Sequence, residues 1–142
     1  MTPHAATFAD LDTATLYALL KLRVDVFVVE QECPYPELDG RDTEPGTRHV
    51  WLDEDGEVVA YLRILVDGDG VDRIGRVCTA KTARGGGRAG VLMRAALDAI
   101  GDRPCVLDAQ SYLAAWYASF GFTPNGPEFI EDGIPHIPMR RS

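Results

Sequence analysis

A chain of 142 residues with 46% apolar content is long enough to bury a real core and fits a single soluble domain. Its net charge of −8 argues against a nucleic-acid-binding protein, because phosphate backbones favour basic partners. No apolar run approaches membrane-spanning length, the longest block being Val26-Phe27-Val28-Val29, and Met1-Thr2-Pro3-His4 lacks the basic and apolar regions of a signal peptide. Cys33, Cys78 and Cys105 form no C-x-x-C pair, so reduced thiols in a cytoplasmic protein without a metal are expected.

Residues Ala5 to Phe8 read as a short first strand. Asp12 or Thr13 is a plausible N-cap, and Leu16, Leu19, Leu20, Arg23, Val24, Phe27 and Val28 then recur at helical spacing, predicting a helix from about Thr13 to Val29. Its apolar stripe is expected to be core. The stretch from Glu30 to Gly40, with two prolines, a glycine and dense charge, reads as a long loop bordering the substrate cleft. Three strands follow, His49 to Leu52, Val58 to Val66 and Val71 to Thr79, separated by Asp53-Glu54-Asp55-Gly56 and Asp67-Gly68-Asp69-Gly70 as turns, an antiparallel meander.

The third strand runs into Arg84-Gly85-Gly86-Gly87-Arg88-Ala89-Gly90, and a helix from about Gly87 to Ile100 leaves it, ended by Gly101-Asp102-Arg103-Pro104. Strand, glycine loop and helix in that order make an anion site: the first N–H groups of a helix have no internal partner, and glycines let a phosphate approach them. Cys105-Val106-Leu107 reads as a short strand parallel to the preceding one, Leu113 to Phe120 as a short helix, and the segment from Phe129 to Arg140 as a turn with a strand on each side. Pro135 and Pro138 place the last strand at an edge or a bulge. The expected fold is therefore a mixed α/β (α+β) single domain over residues 1–142, with a central sheet of about six to seven strands and flanking helices.

Charge is unevenly distributed. Six basic residues and no acidic one lie between Arg73 and Leu97, whereas ten acidic residues face two basic ones between Glu30 and Glu57. The basic patch suits a polyanionic cofactor; the acidic segment suits a cationic second substrate, or is merely solvated surface. Gly85-x-Gly87-x-x-Gly90 also spells a dinucleotide fingerprint, with Asp108 eighteen positions on. An antiparallel meander precedes the loop, however, and only 52 residues remain after Gly90, too few for further α/β units and a catalytic region. No Lys-Ser or Lys-Thr follows the glycines, which excludes a P-loop.

Arg84-Gly85-Gly86-Gly87-Arg88-Ala89 resembles the Arg/Gln-x-x-Gly-x-Gly/Ala signature of the GNAT acyltransferases, and Tyr117-Ala118-Ser119-Phe120-Gly121-Phe122 resembles that family's Tyr-x-x-x-Gly-Phe. Within the superfamily the chain is similar to ElaA-type proteins through Leu22 to Gln31, Cys33-Pro34-Tyr35 with Leu38-Asp39-Gly40, and Glu131-Asp132-Gly133-Ile134-Pro135-His136. The resemblance implies acetyl-CoA as co-substrate and transfer of its acetyl group to an amine. Val77, Cys78 and Thr79 match the strand that pairs with the pantetheine arm, and Arg84, Gly85, Gly86, Gly87, Arg88, Ala89 and Gly90 the pyrophosphate loop. Gln110 stands where most relatives carry asparagine, with the same amide on a longer reach. Tyr117 matches the general acid.

Acyl transfer from a thioester to an amine needs a base for the ammonium, donors for the oxyanion, close placement of the reactants and a proton for the thiolate. Strand N–H groups near Cys78, left free where two strands diverge, are candidate oxyanion donors. Tyrosine is a suitable weak acid, since its pKa lies above that of a thiol. Some relatives carry a glutamate on the strand after the cofactor helix; this chain has Cys105-Val106-Leu107. The base candidates are Glu30, Glu32, Asp39, His49 and His136, or a water chain linked to one of them, and an imidazole titrates near neutrality. The expected protein is an N-acetyltransferase acting on a small-molecule, polyamine-like or peptide amine, with a homodimer compatible. An acyl-CoA-binding sensor without catalysis is the alternative.

Overall fold

The structure is a computed structural model that describes residues 1–142. Eight strands form one sheet: β1 (His4–Thr7), β2 (Arg48–Glu54), β3 (Glu57–Asp67), β4 (Val71–Thr79), β5 (Cys105–Gln110), β6 (Thr123–Pro124), β7 (Phe129–Glu131) and β8 (Ile134–Arg141). The order is β1-β2-β3-β4-β5-β8-β6, with β7 also paired to β8. All neighbours are antiparallel except β4 and β5. The extra strand relative to the sequence expectation is β6, two residues long and containing a proline, too short to show a period.

Two helices cover opposite faces. Helix α2 (Arg88–Ile100) lays Leu92, Met93, Ala96 and Ile100 on Val50, Leu52, Leu62, Ile64 and Ile74. Helix α1 (Thr13–Val24) lays Leu19 and Leu22 on Trp51, Tyr61 and Cys78. Alternate residues of β2 and β3 thus serve different helices, as the two-residue period of a strand requires. Asp12 caps α1, its carboxylate accepting from the Thr15 N–H at 2.7 Å. The regular helix ends at Val24, however, and Asp25–Glu30 continues as a wide π-helical turn. The inward stripe is Leu19, Leu22, Arg23 and Val26, rather than the expected one through Val24 and Val28, and it buries a guanidinium.

The last strand is not an edge. Strand β8 pairs with β5 on one flank and with β7 and β6 on the other. Its prolines fall where a flanking strand has ended. The Pro138 carbonyl accepts from the Asn125 N–H at 2.9 Å, so its nitrogen faces the interval between β7 and β6. Pro135 has the opposite orientation by alternation and looks past Gln110, the end of β5.

Two features of β4 create the site. Pairing with β3 slips between Tyr61 and Arg63: Tyr61 opposes Cys78, but Arg63 opposes Gly75. Three steps along β4 therefore match two along β3, a β-bulge, and it inverts the pleat so that Ile74 faces α2 while Cys78 faces α1. At the bulge Arg76 adopts φ +55, a left-handed conformation costing about 1–2 kcal/mol for a residue with a Cβ. Second, β4 and β5 are joined by only two residue pairs, Asp72 with Cys105 and Arg73 with Val106. Beyond them the strands separate.

Candidate active site

The separation of β4 and β5 opens a cleft of about 620 Å³ lined by Ile74 to Thr79 on one wall and by Leu107, Asp108 and Gln110 on the other. A second pocket of about 430 Å³ lies over the glycine loop and α2, bordered by Gly85, Gly87, Gly90, Arg94 and Phe120. The two share Thr79, Arg84, Ala89 and Trp116, so the loop pocket adjoins the split sheet. Of the expected cofactor residues, Val77, Cys78, Thr79, Arg84, Ala89 and Gln110 line the cleft, and Gly85, Gly87, Arg88 and Gly90 line the loop pocket. Gly86 lies in the same loop but lines neither.

Gly85 and Gly87 have φ +86 and +78, and the space where each would carry a Cβ is empty to 4 Å. Side chains would fill that cradle, and Gly87 sets the start of α2, whose first N–H groups face outward from its N-terminus. The arginines of the loop turn elsewhere. Arg84 donates to both Glu30 oxygens at 2.5 and 2.6 Å and to the Thr79 carbonyl at 3.1 Å; Arg88 donates to both Glu54 oxygens at 2.8 Å. The loop's capacity for a diphosphate therefore lies in its backbone, with Lys81 and Arg94 the basic residues of the patch that have no ion pair.

Tyr117 is brought to the cleft by the end of a short helix, α3 (Ala114–Ala118). The Phe122 N–H donates to the Tyr117 carbonyl at 3.4 Å and the Gly121 N–H to that of Ala118 at 2.9 Å, the bond pattern of a Schellman motif with Gly121 at φ +96. The accompanying apolar contact is Tyr117 with Phe122, their rings edge-on at 6.4 Å. This is the physical content of Tyr-x-x-x-Gly-Phe: glycine stops the helix, and phenylalanine pins the tyrosine. Trp116 stands edge-on to Tyr117 at 4.9 Å. Burial pushes the phenol up to about 12, with Tyr112 adding to the effect, so Tyr117 keeps its proton at neutral pH.

The base candidates separate sharply. Glu30 lines the cleft, but its hydrogen bonds from Arg84 hold the carboxyl below the usual range despite some desolvation. Glu32 is exposed and does not line the cleft. Asp39 is locked to Arg63 at 2.5 and 3.0 Å. His49 is buried with both nitrogens engaged, Nδ1 with the Tyr61 hydroxyl at 2.6 Å and Nε2 with the Asp42 carbonyl at 3.1 Å. His136 lines the cleft and stacks on Phe129 at 5.5 Å. Its Nδ1 lies 2.8 Å from the Ile134 carbonyl, which only accepts, so Nδ1 carries the hydrogen and the neutral ring keeps a free lone pair on Nε2. Cys78 is 6% exposed and its thiol is pushed up to about 12 by burial, which leaves it an inert strand residue.

The acidic segment proves to be largely internal bonding. Arg23, fully buried, donates to Glu37 at 2.8 Å and Asp42 at 2.7 Å; Arg63 donates to Asp39 and, at 3.0 Å, to Asp42. Glu44 pairs with Arg41, and Glu54 with Arg88. These carboxylates are spent on the fold, which removes the segment's charge as a reason for a cationic substrate. The expected loop nonetheless borders the cleft through Gln31 and Tyr35. Sequence reading missed Arg76, the residue at the bulge; its one signal was the adjacent Gly75 inside a strand pattern.

A parallel pair parting beside a bulge, with a glycine-capped helix at the mouth, is the architecture of an acyltransferase of the N-acetyltransferase fold. The chain belongs to the GNAT acetyltransferase family: a family model described as an acetyltransferase (GNAT) domain matches residues 20–142. Within that family it is similar to a UPF0039 protein of Mycobacterium tuberculosis, 58% identical over 93% of this chain and 87% of that one. Protein ElaA of Escherichia coli is 43% identical over 94% of this chain and 91% of its own length. A crystal structure of an acyl-CoA N-acyltransferase from Pseudomonas aeruginosa superposes with a TM-score of 0.95 at 45% identity, covering 99% of both chains. No helix of the protein is long and apolar enough to cross a membrane.

Proposed function

We propose that the protein transfers an acetyl group from acetyl-CoA to a primary amine by direct attack, without a covalent enzyme intermediate. The observation that carries this reading is a backbone phosphate cradle adjoining a cleft that holds the buried, protonated phenol of Tyr117 and the imidazole of His136 with a free nitrogen. When bound, the cofactor supplies an activated acyl thioester. Gly85 to Gly90 hold its diphosphate, and the open flank of β4 from Val77 to Thr79, with Gln110 across the split, receives its amide-bearing arm. Unpaired N–H groups of β4 beside Cys78 face the acyl oxygen, where fixed donors favour developing negative charge. His136 Nε2, directly or through one water, takes the proton that the acceptor ammonium must lose. The Tyr117 hydroxyl gives its proton to the departing sulfur, and the second proton shed by the nitrogen as the amide forms restores the phenol. This assignment of Tyr117 and His136 rests on placement and hydrogen bonding, and it sets Glu32 aside.

Thiol release from acetyl-CoA across a panel of amines tests the reading, alongside calorimetry with CoA and with NAD. CoA binding and amine-dependent thiol release are expected. CoA binding without turnover on any amine assigns the fold to a sensor, and NAD binding without CoA binding overturns the donor.

A further inference from the structure

Four guanidinium groups line the cleft, and three of them donate hydrogen bonds to carboxylates. Arg63 is held by Asp39 and Asp42, Arg73 by Asp67 at 2.7 Å and Asp108 at 3.2 Å, and Arg84 by Glu30. The Arg76 side chain makes no hydrogen bond. Its Nε lies 3.1 Å from the Glu37 carboxylate, near enough for an ion pair but misaligned for a hydrogen bond, and Glu37 leaves its other oxygen without a partner. Neither terminal nitrogen of Arg76 donates to a protein atom. The group is nonetheless held in place: it lies over the Phe27 ring at 4.9 Å and beside Tyr35 at 5.9 Å, on a backbone twisted to φ +55.

Arg76, Phe27 and Tyr35 border the split-sheet cleft and are not among the residues that line the glycine-loop pocket. Glu131 and Asp132, on the β7–β8 turn, line the same cleft and enter no ion pair. A fixed guanidinium with its fork free, kept in a concave site between aromatic faces, is a receptor for a planar oxyanion.

We infer that the acceptor is an amine that also carries a carboxylate, a compound of the amino-acid class. Its carboxylate takes the free fork of Arg76, and its ammonium lies on the side of Glu131 and Asp132 before deprotonation. This deepens the amine-transfer reading and rests on it. It also replaces the polyamine-like acceptor that the acidic segment suggested.

The test pairs amino acids with their decarboxylated amines: lysine with cadaverine, histidine with histamine, tyrosine with tyramine. At least one amino acid is expected to exceed its amine in kcat/KM by about 10- to 100-fold, the range for a hydrogen bond to a charged group. In Arg76→Gln that ratio falls toward one through the acceptor KM, with the acetyl-CoA KM unchanged; Arg76→Lys, which keeps a charge beside Glu37, gives an intermediate ratio. An independent readout is the ¹⁵N-labelled arginine Nε signal of the wild-type protein titrated with N-acetylglycine: the resonance missing from Arg76→Lys moves. Turnover of the amines equal to that of the amino acids, or a ratio unmoved in Arg76→Gln despite a lower Tm, overturns the proposal and leaves amine transfer intact. A moving Arg76 signal with no turnover on any acceptor keeps the carboxylate site and overturns the transfer reading.

Discussion

Tyr117 is the residue whose local structure and chemistry coincide most directly. The Schellman turn at Gly121 fixes where its helix stops, Phe122 and Trp116 fix its ring, and burial pushes its proton affinity up to about 12. A phenol in that state donates and does not nucleophilically compete. Tyr117→Phe keeps both aromatic contacts and removes only the proton, so kcat is expected to fall by roughly 10²-fold or more, the range for a general acid, with CoA affinity unchanged. Steady-state kinetics beside calorimetry check this, and an unaltered kcat takes Tyr117 out of the acid role. Tyr117 is legible in the sequence because the residues that place it are its neighbours. His136 is legible only as one of five candidates, because the differences among them reside in partners far along the chain: Arg84 for Glu30, Arg63 for Asp39, Tyr61 for His49. Arg76 is not legible, since a positive φ at a non-glycine residue leaves almost no mark on composition.

At the scale of elements, the glycine loop and β4 behave differently as sequence. The loop reads directly, because glycines before a helical period mean one thing physically. Gly87→Val puts a β-branched side chain at φ +78 and fills the open side of the cradle. CoA binding is expected to weaken at least tenfold, while an unchanged Kd by calorimetry contradicts a backbone phosphate site. Strand β4, by contrast, reads as one regular strand. Its bulge inverts the pleat midway, and within residues 71–79 only Gly75 hints at that slip, which is defined by the pairing with β3. The wide turn at Asp25–Glu30 is a similar case. Helical spacing extends through it, yet the ladder changes there, and this brings Val26, Phe27, Glu30 and Gln31 to the cleft wall.

Across the whole molecule, the sheet divides the interior into a side under α2 that is apolar except for Asp72 with its partners Arg48 and Arg103, and a side under α1 that mixes apolar packing with a buried ion cluster. Arg23, Glu37, Asp42 and Arg63 tie the loop before β2 to α1 and β3. Removing one member leaves a buried charge unmatched, so Asp42→Asn is expected to cost about 3–5 kcal/mol, read from the urea midpoint. Burial opposes ionisation of Asp42, but Arg23 and then Arg63 outweigh it and hold the carboxyl below its ordinary value; Arg63 does the same for Asp39. Burial keeps the His49 pKa low. In each case the unfolded chain binds protons that the native one refuses. Stability is therefore expected to fall in two stages, first below about pH 6.5 as unfolded His49 protonates, then below about pH 4 as the aspartates do. Melting temperatures between pH 7 and pH 3 check it: a flat profile contradicts the cluster's role, and Asp42→Asn flattens the lower stage.

The two-pair junction between β4 and β5 has one more consequence. A sheet with bare strand edges ordinarily risks recruiting a neighbouring molecule, and soluble proteins guard such edges with charge, bulges or covering segments. Here two bare edges exist in the middle of the sheet, along Ile74 to Thr79 and Leu107 to Gln110, yet both look into a concavity roofed by Trp116 and Tyr117. Another protein's strand has no straight approach to them. The fold thus keeps unpaired backbone groups inside a concavity, open to a ligand and sheltered from a second sheet, and the same cut in the sheet that bares them makes the room they look into.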